Sequence, residues 1–295
     1  MYSATAMQGR VCLVTGANRG LGKATALGLA RQGATVVVLG RDAKRIALAS
    51  DDVRRESGNP DVSYQLLNLA SLASVRDAAE QIGRRFGAIH VLVNNAGVNL
   101  ARRTVSPDGF EMTLAINHLA PFLLTNLLLP LLLASAPSRV VNVTSWFERF
   151  GRIDFDDLHA ERKRYGALGA YYQSKLANAL FTYELAARLA GTGVTANCVD
   201  PGLVATDLLR DHAWWNPRWL QPLWRTVLFS PGRGARAAIY AASAPDVAGV
   251  TGRCLGVCGR ERRTSRRSRD VAARERLWRV SAELTGLASD AVTRR

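Results

Sequence analysis

The chain reads RVCLVTGANRGLG from Arg10 to Gly22, an apolar run that leads directly into a glycine-rich turn. The run predicts a buried strand over residues 10–15, and a helix is expected to follow over residues 23–32. Residues 35–39 read TVVVL and predict a second strand that is apolar on both faces. Such strands are typical of a parallel sheet covered by helices, so the stretch predicts a βαβ unit.

The alternation of strands and helices continues along the chain and predicts an α/β fold, a single doubly wound (Rossmann) parallel sheet flanked by helices. We expect one domain over residues 1–295, because no linker or internal repeat interrupts the sequence. Residues 146–168 are predicted as a polar loop and residues 202–231 as a substrate lid. The further strands are expected at residues 62–67, 91–94, 139–144, 194–199 and 253–257, and the further helices at residues 43–56, 71–86, 111–133 and 169–189.

The chain is strongly basic, with a net charge of +15 that comes almost entirely from arginine. Arginines are concentrated in a basic C-terminal segment, residues 253–295. Such a segment is a candidate for contact with nucleic acid or with an anionic membrane surface. No nucleic-acid-binding motif accompanies the charge, so we do not expect nucleic acid as a partner.

Cysteine usage indicates a reducing, cytoplasmic setting. Cys254 and Cys258 have the wrong spacing for a C-x-x-C redox or zinc pair, and the four histidines share no ligand spacing, so we expect no metal. Residues 1–8 show no secretory signal. The longest apolar run, residues 119–136, contains two prolines and is short for a membrane span, which favours a buried helix over a transmembrane one.

The glycine-rich turn is the first motif that carries chemistry. Gly16, Gly20 and Gly22 follow a predicted strand and open a predicted helix. Small residues let backbone N–H groups approach a pyrophosphate, and the helix N-terminus adds partial positive charge. The turn therefore predicts a dinucleotide site, with G-x-x-x-G-x-G spacing in place of G-x-G-x-x-G.

The end of the second strand is expected to choose the cofactor. Dinucleotide sites that prefer NAD place an acid there, whereas an arginine suits the 2′-phosphate of NADP. This chain has Gly40 followed by Arg41, and Arg19 in the glycine turn offers a second cation. We therefore expect NADP, with NAD less favoured. The alternative is that Arg41 is an exposed loop residue partly neutralised by Asp42.

Tyr171 and Lys175 lie four residues apart in a predicted helix and therefore share one face. A free phenol has a pKa of about 10, and a nearby ammonium favours the phenolate and lowers that pKa. The pair is a candidate general acid/base. Taken alone the spacing is a weak signal, because it occurs by chance in many helices, and a surface tyrosine and lysine is the alternative.

Six ordered motifs resemble the short-chain dehydrogenase/reductase family, in the branch that includes retinol dehydrogenases. The resemblance covers almost the whole chain, and residues 277–286 resemble that branch's C-terminal helix. The motifs are TGANRGLG from Thr15, NNAG from Asn94, NHLAPFLLT from Asn117, VNVTS from Val141, Tyr171-x-x-x-Lys175 and PGLVAT from Pro201.

The resemblance implies a role for each of four residues. Tyr171 would be the acid/base, and Lys175 its pKa partner, which also holds the nicotinamide ribose. Ser145 would hydrogen-bond the substrate carbonyl, and Asn117 would hold a proton-relaying water. Donors aimed at a carbonyl oxygen stabilise the negative charge that develops as hydride arrives. Without the resemblance, Ser145 could be only a strand-end cap and Asn117 only a buried helix residue.

The resemblance also implies the cofactor-binding set, with two departures from the family pattern. Asn68 stands where the family more often has Asp near the adenine. Asp200 precedes Pro201 where Asn or His is usual, and its carboxylate is expected to affect cofactor binding or nearby pKa values. The implied set is Gly16, Asn18, Arg19, Gly20, Leu21, Gly22, Arg41, Asn68, Leu69, Asn95, Ala96, Gly97, Tyr171, Lys175, Pro201, Gly202, Val204 and Thr206.

Tryptophans mark the predicted substrate side. Trp146 directly follows Ser145, and Trp214 and Trp215 belong to the tryptophan-rich lid. Aromatic side chains there predict a lipophilic or bulky substrate. A self-packed lid and contact with a membrane surface are the alternatives.

Together these features predict an NADP-dependent oxidoreductase that transfers hydride between nicotinamide and a carbonyl or alcohol substrate, as a monomer or homodimer. A non-catalytic dinucleotide-sensing protein is one alternative, and nucleic-acid or membrane binding through the arginine-rich segment is another. The complete set of Asn117, Ser145, Tyr171 and Lys175 argues against a sensor, which has no need of it.

Overall fold

Seven parallel strands form one sheet in the computed structural model, which describes residues 5–204 and 229–288. Their order across the sheet is β3-β2-β1-β4-β5-β6-β7, and this confirms the predicted doubly wound fold. The order reverses direction between β1 and β4, where such sheets bind their ligands. The strands are β1 Val11–Thr15, β2 Thr35–Gly40, β3 Val62–Leu66, β4 Val91–Asn94, β5 Ser138–Val143, β6 Val194–Asp200 and β7 Cys254–Gly256.

Seven helices of a full turn or more cover the two faces of the sheet within the described ranges. Most lie within a few residues of their predicted bounds. The exception is α6, in a stretch for which the sequence predicted no element. The helices are α1 Gly20–Ala30, α2 Ala43–Ser57, α3 Leu72–Arg85, α4 Met112–Ala134, α5 Ala167–Arg188, α6 Pro231–Ser243 and α7 Val271–Thr285.

Each face of the sheet has its own apolar core. On one face α1, α2 and α6 pack over the inner strands, and α1 and α6 approach closely because both carry small residues. A Cβ atom on Gly28 of α1 would lie 2.2 Å from Ile239 Cδ1 of α6. On the other face α3, α4, α5 and α7 share a core that includes Phe122, Phe181 and Trp278.

Helix α4 is the apolar helix that the sequence predicted to be buried. By length and composition alone it could cross a membrane, but 78% of its most apolar window is buried inside the protein. It contains Pro130 and a π turn over Ala115–Leu119. Asn117 and His118 lie in that turn, and π turns inside helices frequently mark functional sites.

The arginine-rich C-terminal segment is an integral part of the domain as far as residue 288. Strand β7 extends the sheet, and α7 inserts Trp278 and Ala282 into the core. Apolar residues recur at helical spacing between the arginines, which explains why α7 packs. Strand β7 confirms the strand expected at residues 253–257, and α7 includes most of residues 277–286, which resemble the family's C-terminal helix.

Residues 146–168 also differ from the prediction of a plain polar loop. Trp146–Phe150 forms a 3-10 turn whose N-cap is Ser145. The stretch WFERF is amphipathic enough to pack on α5, where Glu148 is buried and the aromatic rings face Tyr172.

Candidate active site

The glycine turn after β1 can be made only by glycine at two positions. Gly16 has a φ of 65° and Gly20 a φ of 56°, both in the left-handed region. A Cβ atom on Gly16 would lie 2.9 Å from Ala96 Cα, and one on Gly22 would lie 2.5 Å from both the Gly16 carbonyl oxygen and Asn95 Nδ2. The turn is therefore a close-packed cradle with no room for larger residues.

The loop after β4 braces this turn. The backbone N–H groups of Asn95 and Ala96 each donate to Thr15 Oγ1 at 3.0 Å, and Asn95 Nδ2 donates to the Thr15 carbonyl at 2.8 Å. Helix α1 begins at Gly20 with no side-chain cap and no acidic residue in its first turn. The uncapped N–H donors and the helix dipole suit a pyrophosphate, so the turn that holds Asn18, Arg19 and Leu21 fits a dinucleotide.

Arg41 lies exposed directly after β2, as the NADP prediction requires. No ion pair joins Asp42 to Arg41 in the described part of the chain, and the exposed position of Arg41 also fits the alternative of a loop arginine. The Asp42 carboxylate caps α2 by accepting from the Arg45 backbone N–H at 3.0 Å and also pairs with the Arg45 side chain at 3.5 Å. Within the described ranges no acidic side chain pairs with Arg41, so its guanidinium is available to a phosphate.

Asn68 is occupied by its own turn before α3. Its Oδ1 atom accepts from the Ala70 N–H at 3.1 Å, and its backbone N–H donates to Ser74 Oγ at 3.0 Å. Leu69 beside it is nearly buried. The turn places both residues past the end of β3, on the predicted adenine side. Adenine contact itself stays a prediction.

Tyr171 and Lys175 are both buried on α5, so the alternative of a surface tyrosine and lysine is wrong. Lys175 Nζ lies 5.5 Å from the centre of the Tyr171 ring. The ammonium donates to the Val143 carbonyl at the end of β5 at 3.1 Å. The predicted pair therefore shares one helix face and lies at the carboxyl edge of the sheet.

The pKa values of the two groups depart from their ordinary values mainly because both are buried. Burial raises the pKa of Tyr171 well above its usual value, against a hydrogen bond with Ser145 that lowers it. Burial lowers the pKa of Lys175 to about 8. The expected lowering of the tyrosine pKa by the lysine is not what this geometry gives, because the ammonium is directed at the Val143 carbonyl.

Ser145 is a cap, as the alternative for it proposed, and it also lies beside Tyr171, while its hydrogen bond to a substrate carbonyl stays a prediction. It is the N-cap of the 3-10 turn, where its hydroxyl accepts from the Phe147 N–H at 3.4 Å, and it hydrogen-bonds Tyr171. The preceding Thr144 locks β5 to α5 through a 2.8 Å hydrogen bond to the Lys175 carbonyl. The structure thus brings Ser145, Tyr171 and Lys175 together at one point.

Asn117 reaches the same point from the π turn of α4. Its side chain accepts from the Val98 N–H at 2.8 Å and donates to the Val98 carbonyl and to Ser174 Oγ, both at 2.9 Å. A Cβ atom on Gly97 would lie 3.3 Å from Lys175 Nζ and 3.5 Å from Asn117 Oδ1. Asn117, Gly97 and Lys175 therefore lie close together. The proton-relaying water that the resemblance implies stays a prediction.

The predicted lid is described only at its two ends. Gly202 has a φ of 74°, and a Cβ atom there would lie 2.8 Å from the Phe229 ring. Val204 pairs with Phe229 in an isolated bridge, so the segment that follows β6 meets the other end of the predicted lid. Thr206, Trp214 and Trp215 lie outside the described residues.

An aromatic wall lies beside Ser145 and Tyr171, formed by Trp146, Phe147, Phe150 and Tyr172. The ring centres of Trp146 and Phe150 are 5.1 Å apart, and Phe147 stacks on Tyr172 at 5.4 Å. Trp146 is 41% exposed and Phe150 54% exposed. Only Trp146 was predicted; the WFERF stretch and the second tyrosine of the YY pair were the available signals for the others.

Asp200 lies at the end of β6 with its carboxylate buried. Its Oδ2 atom is 2.5 Å from Arg262 Nη1, and its Oδ1 atom accepts from the Gly202 N–H at 2.9 Å. Its charge acts to raise the pKa of Tyr171, together with the larger effect of burial, and that of Lys175, against the larger effect of burial. This agrees with the expected influence on local pKa values. Arg262 was not anticipated, because it lies far along the chain.

The described residues hold no cluster of three or more His, Cys, Asp or Glu side chains that could bind a metal ion. All the groups brought together here are proton donors, proton acceptors or backbone amides. Such a set can bind a dinucleotide, polarise a carbonyl oxygen and exchange a proton with it.

Comparison with known proteins agrees with this geometry. The model of the short chain dehydrogenase family matches residues 10–216. Mouse (Mus musculus) retinol dehydrogenase 13 is 41% identical over 290 residues, which cover 97% of this chain and 86% of the relative. Human (Homo sapiens) retinol dehydrogenase 12 is 43% identical over 286 residues, which cover 95% of this chain and 88% of the relative.

Solved structures give the same result. An uncharacterized protein from Mycobacterium paratuberculosis superposes with a TM-score of 0.77 at 35% identity, covering 97% of this chain and 98% of the other. A short chain dehydrogenase from Shigella flexneri complexed with NADP superposes with a TM-score of 0.70 at 25% identity, covering 87% of this chain and 100% of the other.

Proposed function

We propose that this chain, which belongs to the short-chain dehydrogenase family and is an NAD(P)-dependent oxidoreductase, uses NADP and acts on a lipophilic carbonyl or alcohol. The observation that carries the proposal is the buried pair of Tyr171 and Lys175, with Ser145 beside Tyr171, at the carboxyl edge of the sheet. It lies on the same edge as the glycine cradle after β1, as dinucleotide chemistry requires.

The residues around Tyr171 supply the proton chemistry. The nicotinamide, when bound, supplies or accepts the hydride. In the reducing direction the Tyr171 phenol donates a proton to the substrate oxygen, and the Ser145 hydroxyl hydrogen-bonds that oxygen as negative charge develops. Burial keeps Tyr171 protonated, which matches the acid role. In the oxidising direction the same phenol must first lose its proton, and the hydrogen bond with Ser145, which lowers the Tyr171 pKa, favours that loss.

The preference for NADP is supported by the end of β2. Gly40 carries no carboxylate that would repel a 2′-phosphate, and Arg41 is exposed without an acidic partner in the described part of the chain. The Shigella flexneri neighbour has NADP as its bound cofactor. A planar guanidinium matches the geometry of phosphate, so the pair of residues favours NADP over NAD.

A lipophilic substrate is supported by the aromatic wall. Trp146 and Phe150 expose apolar surface close to Ser145, and Phe150 lies beside Tyr172, the neighbour of Tyr171. Several relatives are named for retinol, which is a long apolar alcohol. Retinol and retinaldehyde are therefore the first substrates to test. The cytoplasmic setting and the choice between monomer and homodimer stay predictions.

A substrate panel tests the proposal. Purified protein is mixed with NADPH and a series of aldehydes and ketones of increasing chain length, and the loss of NADPH absorbance is followed. The reverse assay uses NADP and the matching alcohols. We expect turnover that improves with apolar chain length. Binding of NADPH without turnover of any carbonyl or alcohol would favour the sensor alternative.

A further inference from the structure

The buried carboxylate of Asp200 has two separate partners. Its side chain is only 4% exposed and ends β6 directly before the Pro201–Gly202 turn. Oδ1 accepts from the Gly202 N–H at 2.9 Å and so holds the turn, while Oδ2 lies 2.5 Å from Arg262 Nη1. One oxygen thus holds the turn and the other pairs with Arg262.

Arg262 is placed by a hairpin that follows β7. Its backbone N–H donates to the Cys254 carbonyl at 2.7 Å, and the Gly256 N–H donates to the Arg260 carbonyl at 2.9 Å. A Cβ atom on Gly256 would lie 2.9 Å from Arg262 Cδ, so the arginine stem runs over a glycine that leaves room for it. The guanidinium approaches Asp200 along a defined path, with 43% of its side chain exposed.

We propose that Asp200 and Arg262 act together as a positioning pair for the Tyr171–Lys175 centre, in which Asp200 supplies negative charge and Arg262 offsets it from the C-terminal hairpin. The inference rests on the proposed function of that centre. Neither residue touches the reacting atoms; both act through Tyr171 and Lys175. The arginine-rich segment thereby has a part in the chemistry and not only in packing.

Asp200 directly follows Val199, which pairs in register with Val143, and the Val143 carbonyl accepts from Lys175 Nζ at 3.1 Å. The carboxylate therefore ends the strand next to the one that Lys175 contacts, and its charge bears on both members of the centre. It raises the pKa of Lys175, against the burial that lowers it to about 8, and it adds to the raised pKa of Tyr171. A negative charge favours the ammonium of Lys175 and the neutral phenol of Tyr171, which are the forms needed for proton donation. Arg262 reduces that field, because it carries the opposite charge at contact distance from the carboxylate.

The other titratable groups near α5 are held by contacts of their own. Burial lowers the pKa of His118 to about 4, so its ring is neutral where Lys175 titrates. Glu148 accepts from the Ser265 N–H at 2.7 Å and from the Ser265 hydroxyl at 2.6 Å. Further groups also have partners: Glu111 caps α4, Glu184 pairs with Arg188, Arg267 donates to the Gly151 carbonyl, and the guanidinium of Arg276 lies over the Phe155 ring. Tyr172 lies beside Tyr171, and the thiols of Cys198 and Cys254 are buried.

The test measures the titration of Lys175 in the ligand-free protein by nuclear magnetic resonance with isotope-labelled lysine. The chain has only four lysines, Lys23, Lys44, Lys163 and Lys175, so the spectrum is simple. The Lys175 signal is the one missing from a Lys175→Met protein. Because this readout needs neither substrate nor turnover, it is independent of whether the proposed reaction has been identified.

Two single variants are expected to move the titration in opposite directions. Asp200→Asn keeps an acceptor for the Gly202 N–H but removes the negative charge and leaves Arg262, so the pKa of Lys175 falls below about 8. Arg262→Gln leaves the carboxylate uncompensated, so the pKa rises. Each shift is expected on the order of one pH unit, and the double variant should lie between the single variants, close to wild type.

Controls separate charge from folding. Arg262→Lys keeps the cation and should titrate like wild type, and Arg260→Gln removes an exposed arginine from the same hairpin and should have no effect. Equal titrations in all proteins, or shifts of both single variants in one direction, would overturn the inference. If Tyr171→Phe also keeps full turnover, the proposed function fails as well. If Tyr171→Phe loses turnover but the Lys175 titration is unchanged in the Asp200 and Arg262 variants, only the positioning pair is refuted.

Discussion

The cofactor half of the site, around the glycine turn of residues 16–22, is made of backbone that only glycine permits. The substrate half, around Tyr171, is made of side chains that arrive from β5, α5, β6 and the hairpin after β7. The first is specified by backbone conformation and close contacts, since a Cβ atom on Gly22 would meet the Gly16 carbonyl and one on Gly16 would meet Ala96. The second depends on packing between distant segments, so the two halves should respond differently to substitution and to pH.

The packing that supports the substrate half should be sensitive to acid through His118. Its Nε2 atom lies 2.8 Å from Ser281 Oγ and joins α4 to α7. Burial lowers its pKa from the ordinary 6.5 to about 4, so the unfolded chain binds a proton there before the folded chain does. Stability is therefore full above pH 6.5 and falls as pH drops toward 4, by about 3 kcal/mol from this residue.

Denaturant unfolding at a series of pH values measures this loss. His118→Asn removes the titrating ring and should flatten the dependence between pH 6.5 and 4. His90 is a matched comparison: burial lowers its pKa too, but it is partly exposed and does not lie between α4 and α7, so its replacement should flatten the dependence less. A wild-type free energy of unfolding that stays constant over this range would contradict the assignment of His118 as a neutral core residue.

Gly22→Ala should damage the cofactor half and leave the substrate half folded. The new Cβ would lie 2.5 Å from the Gly16 carbonyl oxygen and from Asn95 Nδ2, so the turn must open. We expect NADPH affinity to fall about thirtyfold, which is about 2 kcal/mol. Fluorescence titration measures it. Gly87→Ala is the control, since no atom lies within 4 Å of its added Cβ; an unchanged dissociation constant for Gly22→Ala would refute the cradle.

Arg41→Ser should change cofactor preference more than overall affinity. Loss of the guanidinium removes the charge-assisted contact with a 2′-phosphate, so the ratio of NADP to NAD affinity should fall about tenfold. Arg45→Ser is the control on the next turn, because Arg45 is already paired with Asp42. Equal affinities for NADP and NAD in wild type would contradict the assignment.

The smallest effect is expected at the aromatic wall. Trp146→Ala and Phe150→Ala remove exposed rings from the substrate side, and each should raise KM for apolar substrates about fivefold, or about 1 kcal/mol, with little change for short ones. Tyr64→Ala removes an exposed ring on β3 and is the control. If neither substitution changes KM for long-chain substrates, the substrate does not bind against the aromatic wall.

The two halves also differ in how much the sequence reveals. The strands, the glycine turn and the Tyr171–Lys175 spacing follow from local patterns, and all are confirmed as structure. Helix α6 was not predicted, because its buried face is mostly alanine and glycine. This helix packs closely on α1, where Ile239 meets Gly28. Such small-residue contacts leave no periodic signal of large apolar residues.

The substrate half could not be read completely for a different reason. Arg262 and Asp200 are joined only by the pairing of β6 with β7, and Phe147 meets Tyr172 only after the 3-10 turn folds onto α5. The charge of the C-terminal segment suggested contact with an anionic partner and did not reveal that Leu277, Trp278 and Ala282 pack into the protein. Tertiary contacts decide these positions.

The most direct test of the central claim compares Tyr171→Phe with Tyr172→Phe, measuring NADPH binding and turnover side by side. Both variants remove one phenolic hydroxyl from adjacent positions of α5, but only Tyr171 is buried against Ser145 and near Lys175. We predict that Tyr171→Phe binds NADPH as wild type does and loses turnover by about 10²- to 10⁴-fold, while Tyr172→Phe keeps most of its activity. Full turnover in Tyr171→Phe would contradict the account.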